Sequence, residues 1–370
     1  MARLPSISVI MPVRNEATFI EQSLGAMLAQ DYPPDLCEIL VIDGMSTDGT
    51  RERIETLTHD SKTNVRILDN PQKTVPPAMN IGIRAATADI VARMDGHTKA
   101  SPDYLRRCVE TLQQTGADNV GGVVRFVGKD AFSRAAGLAA QSKFGCGGAP
   151  ARSAQEGFVD TVSFGCWRRE AFERFGVFDE QFVRTQDSEF NYRTRLLGGK
   201  IWMNPDIVTE YYNRASPTTL MKQYFQYGFW KTRLMHKLRA MRREQGLPSG
   251  LRSKAKLAVG RLHARHIIPP LFVLGLIVSA AILLTRLLTR GSNFWLAAGL
   301  AVPAGYALSC VAASILVAQR QRAWRLFPLL LVIFPILHLS WGTGFLWGYL
   351  RKPAKQPFKG ELHADRRASG

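Results

Sequence analysis

Ile90-Val91-Ala92-Arg93-Met94-Asp95-Gly96-His97 is the stretch from which the rest of the chain is read. A mostly apolar run of strand length stops on an acid, a glycine and an imidazole, and Ser101-Pro102-Asp103 then opens a helix. An aspartate and a histidine two positions apart, just past a parallel strand, can face one divalent cation, because the glycine between them lets the backbone turn tightly. Such a cation could hold a diphosphate. The same residues also suit a plain turn with a capping acid and a surface histidine, so the flanking pattern has to decide.

Outward from that stretch, strands and helices alternate. Residues 7–11 form a short apolar run ended by Pro12, and Thr18 and Glu21 have capping-box spacing ahead of Leu24, Met27 and Leu28. Residues 38–42 make a second strand ending in Asp43, and Asp48-Gly49-Thr50 starts a helix through Ile54 and Leu57. A third strand at 65–68, a helix at 78–86 and the strand at 90–94 follow. After Pro102, Leu105, Cys108, Val109 and Leu112 share one helix face. This order predicts an α/β fold, a doubly wound and mostly parallel sheet, whose ligands sit outside the carboxyl ends of its strands. Asn15, Glu16, Asp43, Asp95 and His97 all lie at such ends. Neither G-x-G-x-x-G nor a P-loop is present, so a phosphate bound here needs a metal.

Farther on, a strand at 119–126 leads into Lys143-Phe144-Gly145-Cys146-Gly147-Gly148-Ala149-Pro150, which reads as a mobile loop over the crevice or a plain solvent loop. An extended segment at 161–167 and a helix at 168–175 precede Gln186-Asp187-Ser188-Glu189, a helix start with two acids. Asp187 fits either an N-cap or a functional carboxylate, and Glu189, two positions on, faces another direction.

The net charge is +18 and the isoelectric point about 10.0. Between residues 231 and 266 stand eleven Lys and Arg against Glu244 alone, directly before a hydrophobic region. A basic flank of this kind suits anionic lipid rather than nucleic acid. Residues 267–284, 294–318 and 326–350 lack charged side chains and are long enough to span a bilayer, which takes about 20 residues. Three spans from a cytoplasmic start would place the basic tail, 351–370, outside, against the positive-inside rule. Pro328, Pro335, Gly342, Gly344 and Gly348 allow the last segment to be a re-entrant hairpin instead. His338 within it is expected to bond a neighbouring helix. Every strand-end motif precedes Lys231, so the apolar segments are expected to pack with lipid and each other, and truncation near His263 to leave a folded domain. The five cysteines are scattered, without C-x-x-C, which suits a reducing cytosol. The amino terminus runs into a strand without an apolar signal region, so the soluble part is expected to stay cytoplasmic, at the bacterial inner membrane.

Taken together, Pro12-Val13-Arg14-Asn15-Glu16, Val41-Ile42-Asp43-Gly44-Met45-Ser46-Thr47-Asp48-Gly49-Thr50, Asn80-Ile81-Gly82-Ile83, Asp95-Gly96-His97 and Gln186-Asp187 resemble glycosyltransferase family 2 over about residues 5–235. Met94-Asp95-Gly96-His97, Phe178-Asp179-Glu180 and the terminal spans look most like its membrane-bound bacterial exopolysaccharide enzymes of the succinoglycan type. The resemblance implies a GT-A fold over residues 1–235, a basic juxtamembrane segment at 236–266, a transmembrane region at 267–350 and the tail. It implies donor contacts from Pro12, Asn15, Glu16, Asp43 and Asp95, with Asp43 on the donor's base. Asp95 and His97 take the place of a metal-binding D-x-D, for Mn²⁺ or Mg²⁺, and Asp187 that of the catalytic base. Gln223 and Lys231 lie on the acceptor and membrane side. Gly44 and His97 each replace a frequent aspartate, and an imidazole ligand favours Mn²⁺. The implied reaction moves a hexose, with UDP-glucose the expected donor, to an acceptor on a polyprenyl diphosphate. A processive synthase is the alternative, disfavoured because Q-x-x-R-W is missing near Gln223; a non-catalytic sugar-nucleotide-binding subunit is another.

Overall fold

The computed structural model describes residues 4–146, 155–213, 216–244, 264–290 and 292–351. β1 (Ile7–Val13) is buried along its whole length and pairs in parallel with β2 (Cys37–Asp43) and β4 (Ile90–Arg93); β2 pairs in parallel with β3 (Asn64–Asp69). A near-continuous apolar strand is what a sheet covered on both faces requires. Ile7, Val9 and Met11 face one layer, with α1 (Ile20–Leu28) and α4 (Tyr104–Thr115). Ile10, Leu40 and Ile42 face the other, with α3 (Val75–Ala85), α7 (Glu170–Phe175) and α8 (Gln186–Leu196). α2 (Thr50–Thr58) follows β2.

Past β4 the sheet turns antiparallel. Among the described residues it has nine strands, in the order β3-β2-β1-β4-β8-β6-β9-β5 with β7 on β9. The added strands are β5 (Thr98–Ala100), β6 (Asn119–Val127), β7 (Gly157–Phe158), β8 (Cys166–Arg168) and β9 (Ile201–Tyr212). The doubly wound reading thus holds, with a mixed far half. Asp95-Gly96-His97 stands between two strands rather than between a strand and a helix, because Thr98–Ala100 pairs with β9 before α4 begins. The capping box at Thr18 and Glu21 is absent. α1 starts at Ile20 without a side-chain cap, and the Glu16 carbonyl accepts from the Phe19 and Ile20 N–H groups, each at 2.8 Å.

The described backbone divides into two compact units, one made of residues 4–125 and 155–211 and the other of described residues within 126–146 and 212–351. The sheet belongs almost wholly to the first. The second holds α5 (Ala131–Gln141), α6 (Lys143–Cys146), α9 (Pro217–Glu244) and three apolar helices, Ala264–Thr289, Asn293–Arg320 and Phe327–Leu350. All three are long and apolar enough to cross a membrane. The third has 44% of its most apolar window buried against 17% for each of the others. It is the post on which the second unit is built.

That third helix is continuous through Pro335, so the re-entrant hairpin is not formed. Its glycines serve close packing instead. A Cβ at Gly344 would strike the Phe225 carbonyl, one at Gly348 the Thr232 hydroxyl, and one at Gly228 the Trp341 carbonyl. α9 and the third apolar helix therefore touch backbone to backbone, the arrangement small residues permit between apolar helices. Ala135, Ala136 and Ala139 of α5 join Leu330, Ile333, Phe334 and Leu337 in the same apolar cluster. Beyond the expected packing of the apolar segments with one another, α5, α6 and α9 also rest on the last of them. The expected mobile loop fails over residues 143–146, which form α6, with the Phe144 ring edge-on to Phe334 at 5.0 Å and to His338 at 4.9 Å. Residues 147–150 lie outside the described residues. His338 does bond a neighbouring helix: Nδ1 is 2.8 Å from the Tyr306 hydroxyl, and Nε2 is 2.9 Å from the Phe144 carbonyl. A carbonyl only accepts, so Nε2 carries the proton and Nδ1 accepts from Tyr306.

Gly344→Leu should therefore destabilise the second unit by about 1–3 kcal/mol, as overpacking does. Gly305→Leu, whose Cβ would meet nothing within 4 Å, should be mild. Melting of the two variants in detergent checks this, and equal melting temperatures would contradict the packing.

Candidate active site

Two loops at the carboxyl ends of β1 and β2 are sewn together. Asn15, at φ 54°, accepts from the Thr47 N–H through Oδ1 at 2.9 Å, and its own N–H donates to Ser46 Oγ at 2.9 Å. The Glu16 N–H donates to Thr50 Oγ1 at 2.9 Å and the Ala17 N–H to Asp48 Oδ2 at 3.1 Å. Asparagine tolerates the left-handed region better than most residues because its short side chain bonds locally. Asn15 thus has a bracing role beside any ligand contact. Asp43 ends β2 only 2% exposed, with its carboxylate accepting from the Ser46 hydroxyl at 2.6 Å and the Ser46 N–H at 3.1 Å. Pro12 lies buried inside β1, in register with Ile42.

The Asp95 turn closes against the first loop. A Cβ at Gly96 would come within 3.0 Å of Val13 Cγ1 and 3.1 Å of Glu16 Cγ, so only glycine fits without displacement. Thr98, fully buried, donates its hydroxyl to the Asp95 carbonyl at 2.7 Å. His97 Nδ1 is 2.9 Å from Glu16 Oε1, and its ring stands edge-on to Tyr211 at 5.1 Å. This pairing turns Nε2 to the opposite side of the ring. Glu16, expected at the donor, also holds the histidine.

Asp95 and Asp187 meet on one guanidinium. Arg93 is 3% exposed; its Nε donates to Asp95 Oδ1 at 2.8 Å, its Nη2 to Asp95 Oδ2 at 3.1 Å, and its Nη1 to Asp187 Oδ1. The N-cap alternative for Asp187 is not realised. Thr185, at φ 59°, precedes α8, and the Asp187 carboxylate turns to β4 instead. Burial raises the pKa of Asp187, with Arg93 pulling it down and Asp95 pushing it further up; the net direction is upward from the ordinary aspartate value. Glu189 does face elsewhere. It is fully buried and pairs with Arg193 at 2.9 Å, whose guanidinium also donates to the Phe175 and Val177 carbonyls.

The first unit thus gathers Asn15, Glu16, Asp43, Asp95, His97 and Asp187 at the carboxyl ends of its parallel strands. Gln223 and Lys231 lie on α9 in the second unit, where Gln223 donates to the Tyr227 hydroxyl at 3.0 Å. Sequence reasoning passed over Arg93, although a charged side chain inside an apolar strand is rarely buried without a partner. A cavity of about 370 Å³ lined by Pro5, Asp89, Leu112, Arg168 and Glu173 opens at the other, amino-terminal ends of β1 and β4, away from these groups.

Acids and an imidazole thus stand together at the ends of parallel strands in a mixed sheet. The chain belongs to glycosyltransferase family 2, whose model, "Glycosyl transferase family 2", matches residues 8–176. It is 33% identical over 342 residues to the succinoglycan biosynthesis protein ExoA of Rhizobium meliloti, covering 91% of this chain and 93% of that protein. It is 31% identical over 239 residues to a dolichyl N-acetyl-glucosaminyl-phosphate diacetamido-dideoxy-glucuronosyltransferase of Methanococcus voltae, over 62% of this chain and 74% of that one. Among solved structures, the mannosyltransferase PcManGT of Pyrobaculum calidifontis, in complex with GDP-Man and Mn²⁺, superposes with a TM-score of 0.54 at 22% identity, covering 91% of this chain and 88% of that one. S. aureus TarS 1-349 in complex with UDP-GlcNAc gives 0.51 at 16% identity, covering 93% and 92%. Both likenesses concern the GT-A-like fold alone. The chain is an ExoA-like glycosyltransferase of polysaccharide and glycan biosynthesis.

Among the described residues no three His, Cys, Asp or Glu side chains are grouped to hold a cation. The donor set nevertheless fits one that arrives with a ligand. Mg²⁺-type sites use one or two protein ligands and complete their shell with substrate phosphates and water. A carboxylate retains acceptor sites beyond two arginine bonds, and a ligating histidine commonly has its other nitrogen on a carboxylate, as His97 has Glu16.

Glu189→Ala would strand the Arg193 charge in the core, and the expected loss is about 3–5 kcal/mol of stability. Asp187→Asn should leave the melting temperature near wild type. Thermal melts of the two variants decide it; a destabilised Asp187→Asn beside an unaffected Glu189→Ala would reverse the assignment.

Proposed function

We propose that the chain catalyses inverting transfer of a hexose from a nucleotide diphosphate-sugar, UDP-glucose, to a hydroxyl of an acceptor carried on a polyprenyl diphosphate, at the bacterial inner membrane with the transferase domain cytoplasmic. The observation that carries this reading is the meeting of Asp95 and Asp187 on Arg93, with His97 in the same turn as Asp95 and Asp187 left free of helix capping. The donor's base lies against Asp43, with Pro12 and Asn15 beside the nucleoside. Asp95 and His97 would hold a divalent cation, which when bound supplies positive charge opposite the leaving diphosphate.

Asp187 accepts the proton of the acceptor hydroxyl as its oxygen bonds to the anomeric carbon. The bond from that carbon to the diphosphate oxygen breaks on the opposite face, and the nucleoside diphosphate departs with the electron pair. One base suffices, because the leaving group is already a weak base and needs no acid. The apolar helices and the basic run of α9 suit an acceptor whose diphosphate lies at a lipid surface. Gln223 and Lys231 belong to that acceptor side.

Single-turnover transfer from UDP-glucose to lipid-linked acceptors in membranes tests the proposal. Asp187→Asn should lose roughly 10²–10⁴-fold in rate, the usual worth of general-base assistance, with donor affinity kept. Near wild-type transfer by that variant would remove Asp187 as the base. Excess chelator should abolish turnover and Mn²⁺ restore it at least as well as Mg²⁺; undiminished transfer in chelator would eliminate the cation.

The pH profile follows from the raised pKa of Asp187. Transfer needs the ionised carboxylate, so the maximal rate should fall, as pH drops, at a pH above the ordinary aspartate range. A profile flat to the acidity of an exposed aspartate would contradict this.

A further inference from the structure

Two arginine–carboxylate ties meet α8, and they differ in a telling way. Arg193 and Glu189 are 2% and 0% exposed, both sealed in the core. Arg93 is as deeply placed, at 3%, but its carboxylates are only partly covered, with Asp95 at 15% and Asp187 at 27% exposed. A tie that serves packing alone has no need to keep its acidic side wet. The guanidinium of Arg93 is itself fixed. The strand holds its backbone, whose N–H donates to the Gly165 carbonyl at 3.0 Å, and three of its five N–H groups are spent on the two acids. Asp187 is 94 positions away in sequence and comes from another layer of the fold.

We propose that Arg93 is a positioning residue that holds Asp95 and Asp187 in one frame, so that the donor-side carboxylate and the proton acceptor keep a fixed spacing across the crevice. The inference rests on the transferase reading above. The planar fork is what allows it: Nε and Nη2 present one edge to Asp95 while Nη1 reaches Asp187 from another. A lysine ammonium is a point charge on a flexible stem and cannot serve two carboxylates in this way.

The test uses the full chain in nanodiscs, with single-turnover transfer from UDP-glucose, UDP affinity by calorimetry, and melting temperature. Wild type is compared with Arg93→Gln, Arg93→Lys, Asp187→Asn and the Arg93→Gln/Asp187→Asn double variant. Misplacing a reacting group by an ångström costs on the order of 10²-fold, so Arg93→Gln should lose at least about that much transfer while UDP affinity changes little. Arg93→Lys should recover only a small part. In the double variant the losses should fall well short of multiplying in full, because part of what Arg93 does is to place Asp187. Losses that multiply, or an Arg93→Lys variant indistinguishable from wild type, would overturn the inference while leaving the transferase reading intact. If Arg93→Gln shows no melting transition, Arg93→Lys and its double with Asp187→Asn carry the same comparison. Absence of transfer by wild type from any nucleotide sugar would defeat the transferase reading, and this inference with it.

Discussion

A charge placed inside a sheet has to be answered, and the way Arg93 is answered organises the crevice. Taking a guanidinium out of water is costly unless hydrogen-bonded anions surround it. Here the anions come from two different layers of the fold, Asp95 at the end of the same strand and Asp187 at the start of α8. The first turn of α8 is thereby tied to the central sheet through the Asp187 carboxylate rather than through a cap. Glu16, His97 and the paired loops around Asn15 and Ser46 extend the same logic across the strand ends, each polar group finding its partner on a neighbouring loop. Binding groups held in this way need little reordering when a ligand arrives, which lowers the entropic cost of association.

The second unit solves a different problem, that of joining polar and apolar helices. Gly228, Gly344 and Gly348 remove side chains where α9 meets the third apolar helix, and the contact is made by backbone atoms and short side chains. His338 shows the same economy. One imidazole satisfies the Tyr306 hydroxyl and the Phe144 carbonyl together, so that α6 and two apolar helices share a polar point within an otherwise apolar cluster.

Much of the parallel half is legible in the sequence, because buried strands there are long apolar runs and each ends on an acid or a turn. Asp43 and Asp95 stand out for the same reason, as charges where an apolar pattern stops, whereas Asp187 shows only as an acid at a helix start. The antiparallel half is not legible. Gly157–Phe158 and Cys166–Arg168 are too short to show a period of two, and Thr98–Ala100 is a strand only because β9 pairs with it. The pairing of Arg93 with Asp187 joins residues with no local relation, so only tertiary structure reveals it. The glycines of the last apolar segment mislead for a related reason. Locally they weaken a helix, and their compensation lies on α9, more than a hundred positions earlier.

The dependence of α5 and α6 on the third apolar helix also has a bearing on how the chain is made. Residues 131–146 leave the ribosome roughly 180 residues before 327–350 exist, and at usual translation speeds that interval is on the order of ten to forty seconds. During that time Ala135, Ala139 and Phe144 have no finished surface to rest on. Biogenesis of this transferase is therefore ordered from its end: the early segments of the second unit reach their resting place only after the last helix has been synthesised, and a chain stalled before residue 327 exposes apolar surface to cellular quality control.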